Sequence, residues 1–191
     1  MRSQLCLCFA FAIVFLNYPQ LSLYAQVDTI KSVQLDYLIW KKISEYRQSI
    51  GVRPLKEFQK TKLRDYSLVI SERNLPKGVH AEHSNQADEW YNAECLFVSI
   101  SSGNSDQIIE NYDNLMKGEY DVIATKCVEA WINSPSHQRA ISDYDNVIVS
   151  IGSIITTEKK KDGRFKIHLV SYYHGISDNP DHCLKCYANI K

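Results

Sequence analysis

Two imidazoles and a carboxylate, far apart in the chain, are the residues whose types and spacing could do chemistry. His83-Ser84 stands eleven residues ahead of Glu94 in Ala93-Glu94-Cys95, and His137 closes the run Trp131-Ile132-Asn133-Ser134-Pro135-Ser136-His137. Gathered in one polar cavity, His83, Glu94 and His137 would offer two neutral nitrogens and an oxygen to zinc or another divalent ion. A three-ligand site also leaves a position open to water. The same trio can act without metal, with Glu94 holding one imidazole as a general base. It can equally be a hydrogen-bonded cluster that orients loops, as buried polar groups commonly are. No nucleophile–base–oxyanion set accompanies the trio, so binding is expected rather than turnover. The alternative is a metal-assisted hydrolase in which His83, Glu94 and His137 activate water.

Other reactive side chains fit the site less well. His168 lies inside an alternating stretch and reads as a strand-face residue, His174 follows that stretch, and His182 falls in the tail. Cys95 beside Glu94 invites a nucleophile reading. Neighbours in a strand point to opposite faces, however, so a cavity-facing Glu94 turns Cys95 into the core, toward Cys127. Trp131 is expected as a core anchor.

The elements that must position these groups follow from periodicity. Residues 33–50 place Leu35, Leu38, Ile39, Ile43 and Tyr46 on one helical face, and Gly51 ends the run. A second helix is expected over 58–73, then a loop through Asn74-Leu75-Pro76-Lys77-Gly78. Residues 80–92 show no clear period. Residues 94–100 read as a strand, 106–116 and 120–133 as helices, and Pro135 stops the latter, with a short helix from His137 to Ile141. Strands over 146–155 and 165–173 flank a charged hairpin whose Asp162-Gly163 is a tight-turn pair. The lysines at 159–161 read as a solvated hairpin tip. Helices gathered around a small antiparallel sheet make an α+β domain.

The N-terminus reads as an export signal. Arg2 precedes an apolar run of twelve over residues 5–16, and Leu23-Tyr24-Ala25 offers a small-residue cleavage site. Twelve apolar residues are too few to span a bilayer, which needs about 20. The expected division is a signal peptide over 1–25, one domain over 26–175 and a tail over 176–191. The expected location is secreted or periplasmic, with no transmembrane segment after cleavage. Four cysteines then remain, and an oxidising compartment favours bridges: Cys95–Cys127 and Cys183–Cys186 by spacing. Cys183-Leu184-Lys185-Cys186 can also be read as a redox pair or, with His182, half of a metal site. Lys+Arg and Asp+Glu are equal at 22 each, which argues against a nucleic-acid partner.

In their order along the chain, these marks resemble the CAP superfamily of SCP-like domains. They are Tyr46-Arg47 and Gly51 before Pro54-Leu55, His83-Ser84, Glu94, Glu129-Ala130-Trp131, then Asn133-Ser134-Pro135-Ser136-His137 and a strand through Ile148 to Gly152. The Trp-x-Asn-Ser-Pro-x-His segment is typical of the bacterial branch. The resemblance implies a three-layer α-β-α sandwich whose central cavity holds His83, Glu94 and His137. It prefers His83 over His80, which is fourteen residues from Glu94 and lacks the following serine. Ser134 stands where many relatives carry a second cavity glutamate, and Ala93-Glu94-Cys95 replaces their Gly-Glu-Asn. Relatives bind sterols, fatty acids or protein partners, so a small apolar ligand or a protein is the implied partner class, beside a divalent metal.

Overall fold

A computed structural model describes residues 26–56, 58, 62–82 and 93–177. A short strand β1 (Gln26–Ile30) leads into helix α1 (Val33–Ser49), then α2 (Lys62–Asn74) and a 3-10 turn (Leu75–His80). Strand β2 (Ala93–Gly103) follows, then α3 (Asp106–Met116), α4 (Asp121–Ile132) and α5 (Pro135–Ser142). Strands β3 (Asn146–Lys159) and β4 (Phe165–Ser177) close the chain. The four strands form one antiparallel sheet in the order β1-β3-β4-β2.

The long hairpin β3–β4 is the centre of the molecule. Its tip closes through Lys160 N–H to the Arg164 carbonyl at 2.8 Å, with Gly163 at φ 79° supplying the left-handed turn residue. Both strands are buried over nearly their whole length, because helices cover both faces of the sheet. That double burial explains why residues 146–155 read as an almost continuous apolar run.

Alternation separates the two faces. Val149, Ile151 and Ile155 of β3, with Ile167, Leu169 and Tyr173 of β4, share a core with Leu35, Ile39 and Ile43 of α1 and with Ala124, Cys127, Val128 and Trp131 of α4. Each α1 residue is four positions, about one turn, from the next, the spacing that aims a helix stripe at one surface. The opposite face carries Ser150, Gly152 and Ile154, and α2 lies directly on it. A Cβ at Gly152 would fall 2.3 Å from the Leu68 nitrogen. The expected α+β class, with helical layers on both sides of an antiparallel sheet, is what the chain adopts.

Several elements differ from the sequence reading. β1 pairs with the distal half of β3, ending at Ile30 opposite Ile155; five residues carry too little periodicity to be seen in the sequence. Pro135 does not only stop α4. It occupies the first turn of α5, where its missing N–H costs nothing. β4 runs past residue 173 to Ser177, so His174 is a strand residue and not a loop residue.

Where β1 ends, the free edge of β3 is closed by charge. Asp36 of α1 is fully buried and accepts from the Ser153 backbone and side chain and from Arg64 Nε of α2, the last at 2.7 Å. Arg64 thereby reaches around the edge and ties the two helical layers together. Burial outweighs that ion pair and raises the Asp36 carboxyl to about 6.

Candidate functional site

The register of three strands brings one polar row together. Glu94 of β2 is opposite His174 of β4, which is opposite Ser150 of β3, so all three side chains emerge on the α2 face. From above, Ser67 of α2 places its Oγ 2.7 Å from Ser150 Oγ and 2.8 Å from His174 Nδ1. Tyr66 and Tyr172 flank the imidazole, with ring centroids 5.0 and 4.6 Å away. Gly152 allows this approach: only a residue without a side chain lets the α2 backbone at Ser67–Leu68 sit so low on the sheet. Ser71 adds a second tie, donating to the Gly152 carbonyl at 2.6 Å.

The electrostatics follow from burial. His174 is 2% exposed, and burial pushes its pKa down to about 4 although the nearby Glu94 charge pulls it up. The imidazole is therefore neutral at ordinary pH. Ser67 and His174 stand at a nucleophile–base distance, but both are sealed from solvent and Ser67 also bonds Ser150. The pair acts as a buried tie between α2 and the sheet. Glu94, half-buried at the end of the row, is the member able to meet a ligand.

The residues expected from sequence are distributed as follows. Glu94 occupies this row. His137 is half-buried on α5, and its backbone carbonyl lies 3.8 Å from Cys95 Sγ. Neither Glu94 nor His137 is without a partner. α5 packs on the start of β2 and on α4. It is held there by the Tyr46-Arg47 pair of α1: Gln138 Nε2 donates to the Tyr46 hydroxyl at 2.8 Å, and buried Arg47 donates to the Ile141 and Arg53 carbonyls at 2.8 and 2.9 Å. The sequence marks at 46–47 thus position the helix that carries His137. His83 lies outside the described residues, and His80 is exposed at the end of the 3-10 turn. Among the described residues no group of three His, Cys, Asp or Glu side chains could hold a metal ion. Trp131 is 1% exposed, against Tyr173 in the core.

The expected Cys95–Cys127 bridge is not formed. Both cysteines face the core as free thiols, and Cys95 Sγ is turned to the His137 carbonyl instead. Burial holds both thiols well above their ordinary pKa. In native protein, Cys95 and Cys127 are therefore expected to resist alkylation. Both should be labelled after unfolding without reductant, as peptide mass spectrometry would show. The signal peptide over 1–25 and the pair Cys183 and Cys186 lie outside the described residues.

Three site residues escaped the sequence reading: His174, Ser67 and Ser150. His174 had one available signal, since His168, Val170, Tyr172 and His174 alternate along a single strand face. Ser67 and Ser150 had none.

No protein-family model and no curated protein matches the chain. Among solved structures, an outer surface protein from Borrelia burgdorferi is similar at a TM-score of 0.40, with 17% identity over 80% of this chain and 100% of that one. Among the described residues no helix is long and apolar enough to cross a membrane.

Proposed function

We propose that the chain is an exported, CAP-like, single-domain protein that works by binding, with its ligand held at the start of β2 by Glu94, His137 and His83. The observation that carries this reading is Glu94 itself. A half-buried carboxylate on a fixed strand, beside a neutral imidazole, is an anionic acceptor in a partly desolvated setting. Such a group favours a divalent cation or a ligand with a cationic or N–H-bearing end. α5 sets the His137 carbonyl beside Cys95, the residue next to Glu94 on β2, and the chain order of His83, Glu94 and the Asn133–His137 segment is that of the family resemblance. The apolar run over residues 5–16 supports export.

Protein purified from cells expressing the full chain is expected to take up one equivalent of Zn(II) in equilibrium dialysis. Glu94→Gln should weaken that uptake at least about tenfold, the effect expected from losing one charged ligand. The double variant His83→Ala/His137→Ala should abolish it. Uptake unchanged by the double substitution removes the metal from this reading. If alanine at His83, Glu94 and His137 together also leaves the co-purified lipid extract unchanged, the site itself is overturned.

A further inference from the structure

The two edges of the sheet are built differently. β1 is five residues long, carries Asp28 and is followed by Lys31, the kind of charge that keeps an edge from pairing further. β2 is eleven residues long, and after Glu94 its nine residues 95–103 (CLFVSISSG) contain no charge and no proline. Its ladder is with β4, and among the described residues no other backbone bond is made to residues 95–103. Among the described residues, one row of backbone donors and acceptors along this strand is therefore open. An edge this long, without a gatekeeping residue, is a template for another strand.

The side chains around the edge are apolar on the α2 face. Ile100 is 41% exposed, and Val79 of the 3-10 turn is 78% exposed. On the other face, Phe97, Ser99 and Ser101 line a small open groove together with Ile167, Leu169, Lys126 and Asn111. We infer that β2 is the seam of a homodimer, in which two copies pair their β2 strands antiparallel about a two-fold axis at Val98.

The sequence of β2 is self-complementary in that register. Val98 meets the partner's Val98, and Leu96 meets the partner's Ile100, so the α2 face gains a continuous apolar row where Ile100 is now open. Glu94 falls opposite the partner's Ser102, not opposite another acid. On the groove face, Phe97 falls opposite the partner's Ser99, and each copy's aromatic ring closes the other's groove. No like charges are brought together, and the contact is isologous, so it stops at two copies. The open backbone row, the apolar row and the absence of charge all select a second copy of the same strand.

Sedimentation velocity on protein from the full chain, from about 1 to 100 μM, is expected to show a reversible monomer–dimer equilibrium in the range of transient interfaces. Val98→Lys sets two lysines face to face on the axis and should weaken association at least about 100-fold, since opposed like charges cost several kcal/mol. Its far-UV circular dichroism, and its Tm at a concentration where the wild type is monomeric, should match the wild type. Val98→Cys should cross-link to itself under mild oxidation, because directly opposed Cβ atoms are about 5 Å apart. Ser102→Cys, far from the axis, should not. A wild type that stays monomeric at 100 μM overturns the inference, and so does a dimer that survives Val98→Lys. A dimer in which Ser102→Cys cross-links and Val98→Cys does not also overturns it.

Discussion

Alanine at position 152 is expected to lower the free energy of unfolding by about 3 kcal/mol, at the upper end of the range for overpacking. The new Cβ would lie 2.3 Å from Leu68 nitrogen, 2.5 Å from Ser67 carbonyl carbon and 2.8 Å from Ser67 Cβ. Two of those atoms are backbone, so no rotamer change can relieve the clash. α2 must retreat as a unit. Its retreat stretches the Ser67–His174 and Ser67–Ser150 contacts and the Ser71 bond to the Gly152 carbonyl. Those groups are buried, and each one left without a partner adds a further cost. Urea denaturation should show a lower midpoint at unchanged slope. Gly163→Ala is the control: its φ of 79° strains an alanine, but nothing lies within 4 Å, so about 1 kcal/mol is expected. A Gly152→Ala loss no larger than that of Gly163→Ala would show that α2 does not rest on the sheet as described.

Helix α1 shows what the sequence could reveal. The stripe Leu35, Ile39 and Ile43 on α1 was legible because a helix repeats every 3.6 residues and one face must be apolar. Asp36 and Arg47 on α1 were not, since a charged residue reads as solvent-facing until a partner from elsewhere in the chain is known. Arg64 of α2 lies 28 positions from Asp36, and Ile141 lies 94 from Arg47. The strands of the central hairpin were visible, and their burial on both faces was the reason they read as unbroken apolar runs. Glu94 was picked out by its type and by the histidines around it. Its neighbours Ser67 and His174 are 107 positions apart and meet only through sheet register and a glycine. Spacing along one chain does not encode that meeting. The bridge between Cys95 and Cys127 was inferred correctly as a shared place in the core and wrongly as a bond.

The second large effect is hidden in the wild type by two groups that oppose each other. His174 titrates at about 4 in the folded chain against 6.5 when exposed. Between those values the unfolded chain holds more protons, so this contribution is full above pH 6.5 and is lost as pH falls toward 4. Its size is about 3 kcal/mol. Asp36 behaves in the opposite sense. Its folded value of about 6 lies above the ordinary 3.8, so the folded chain holds more protons between them. That contribution is full below 3.8 and is lost as pH rises through about 6, again by about 3 kcal/mol. The windows overlap from about 4 to 6, and the two slopes offset. Asp36→Asn should remove one of them. Relative to wild type, its stability is expected to climb by about 3 kcal/mol from pH 4 to 6.5, on top of a pH-independent loss from the altered Arg64 pair. His174→Asn should give the mirror image, a relative fall of similar size over the same range. Taking each variant's urea midpoints as differences from wild type cancels the carboxylates and the other buried histidine, His168, which all three proteins share. A pH-independent difference for Asp36→Asn would mean that the carboxylate is ionised throughout, with Arg64 and the Ser153 backbone prevailing over burial. The edge of β3 would then be closed by a full ion pair at every pH, and α2 would owe its place on the sheet to that charge as much as to Gly152.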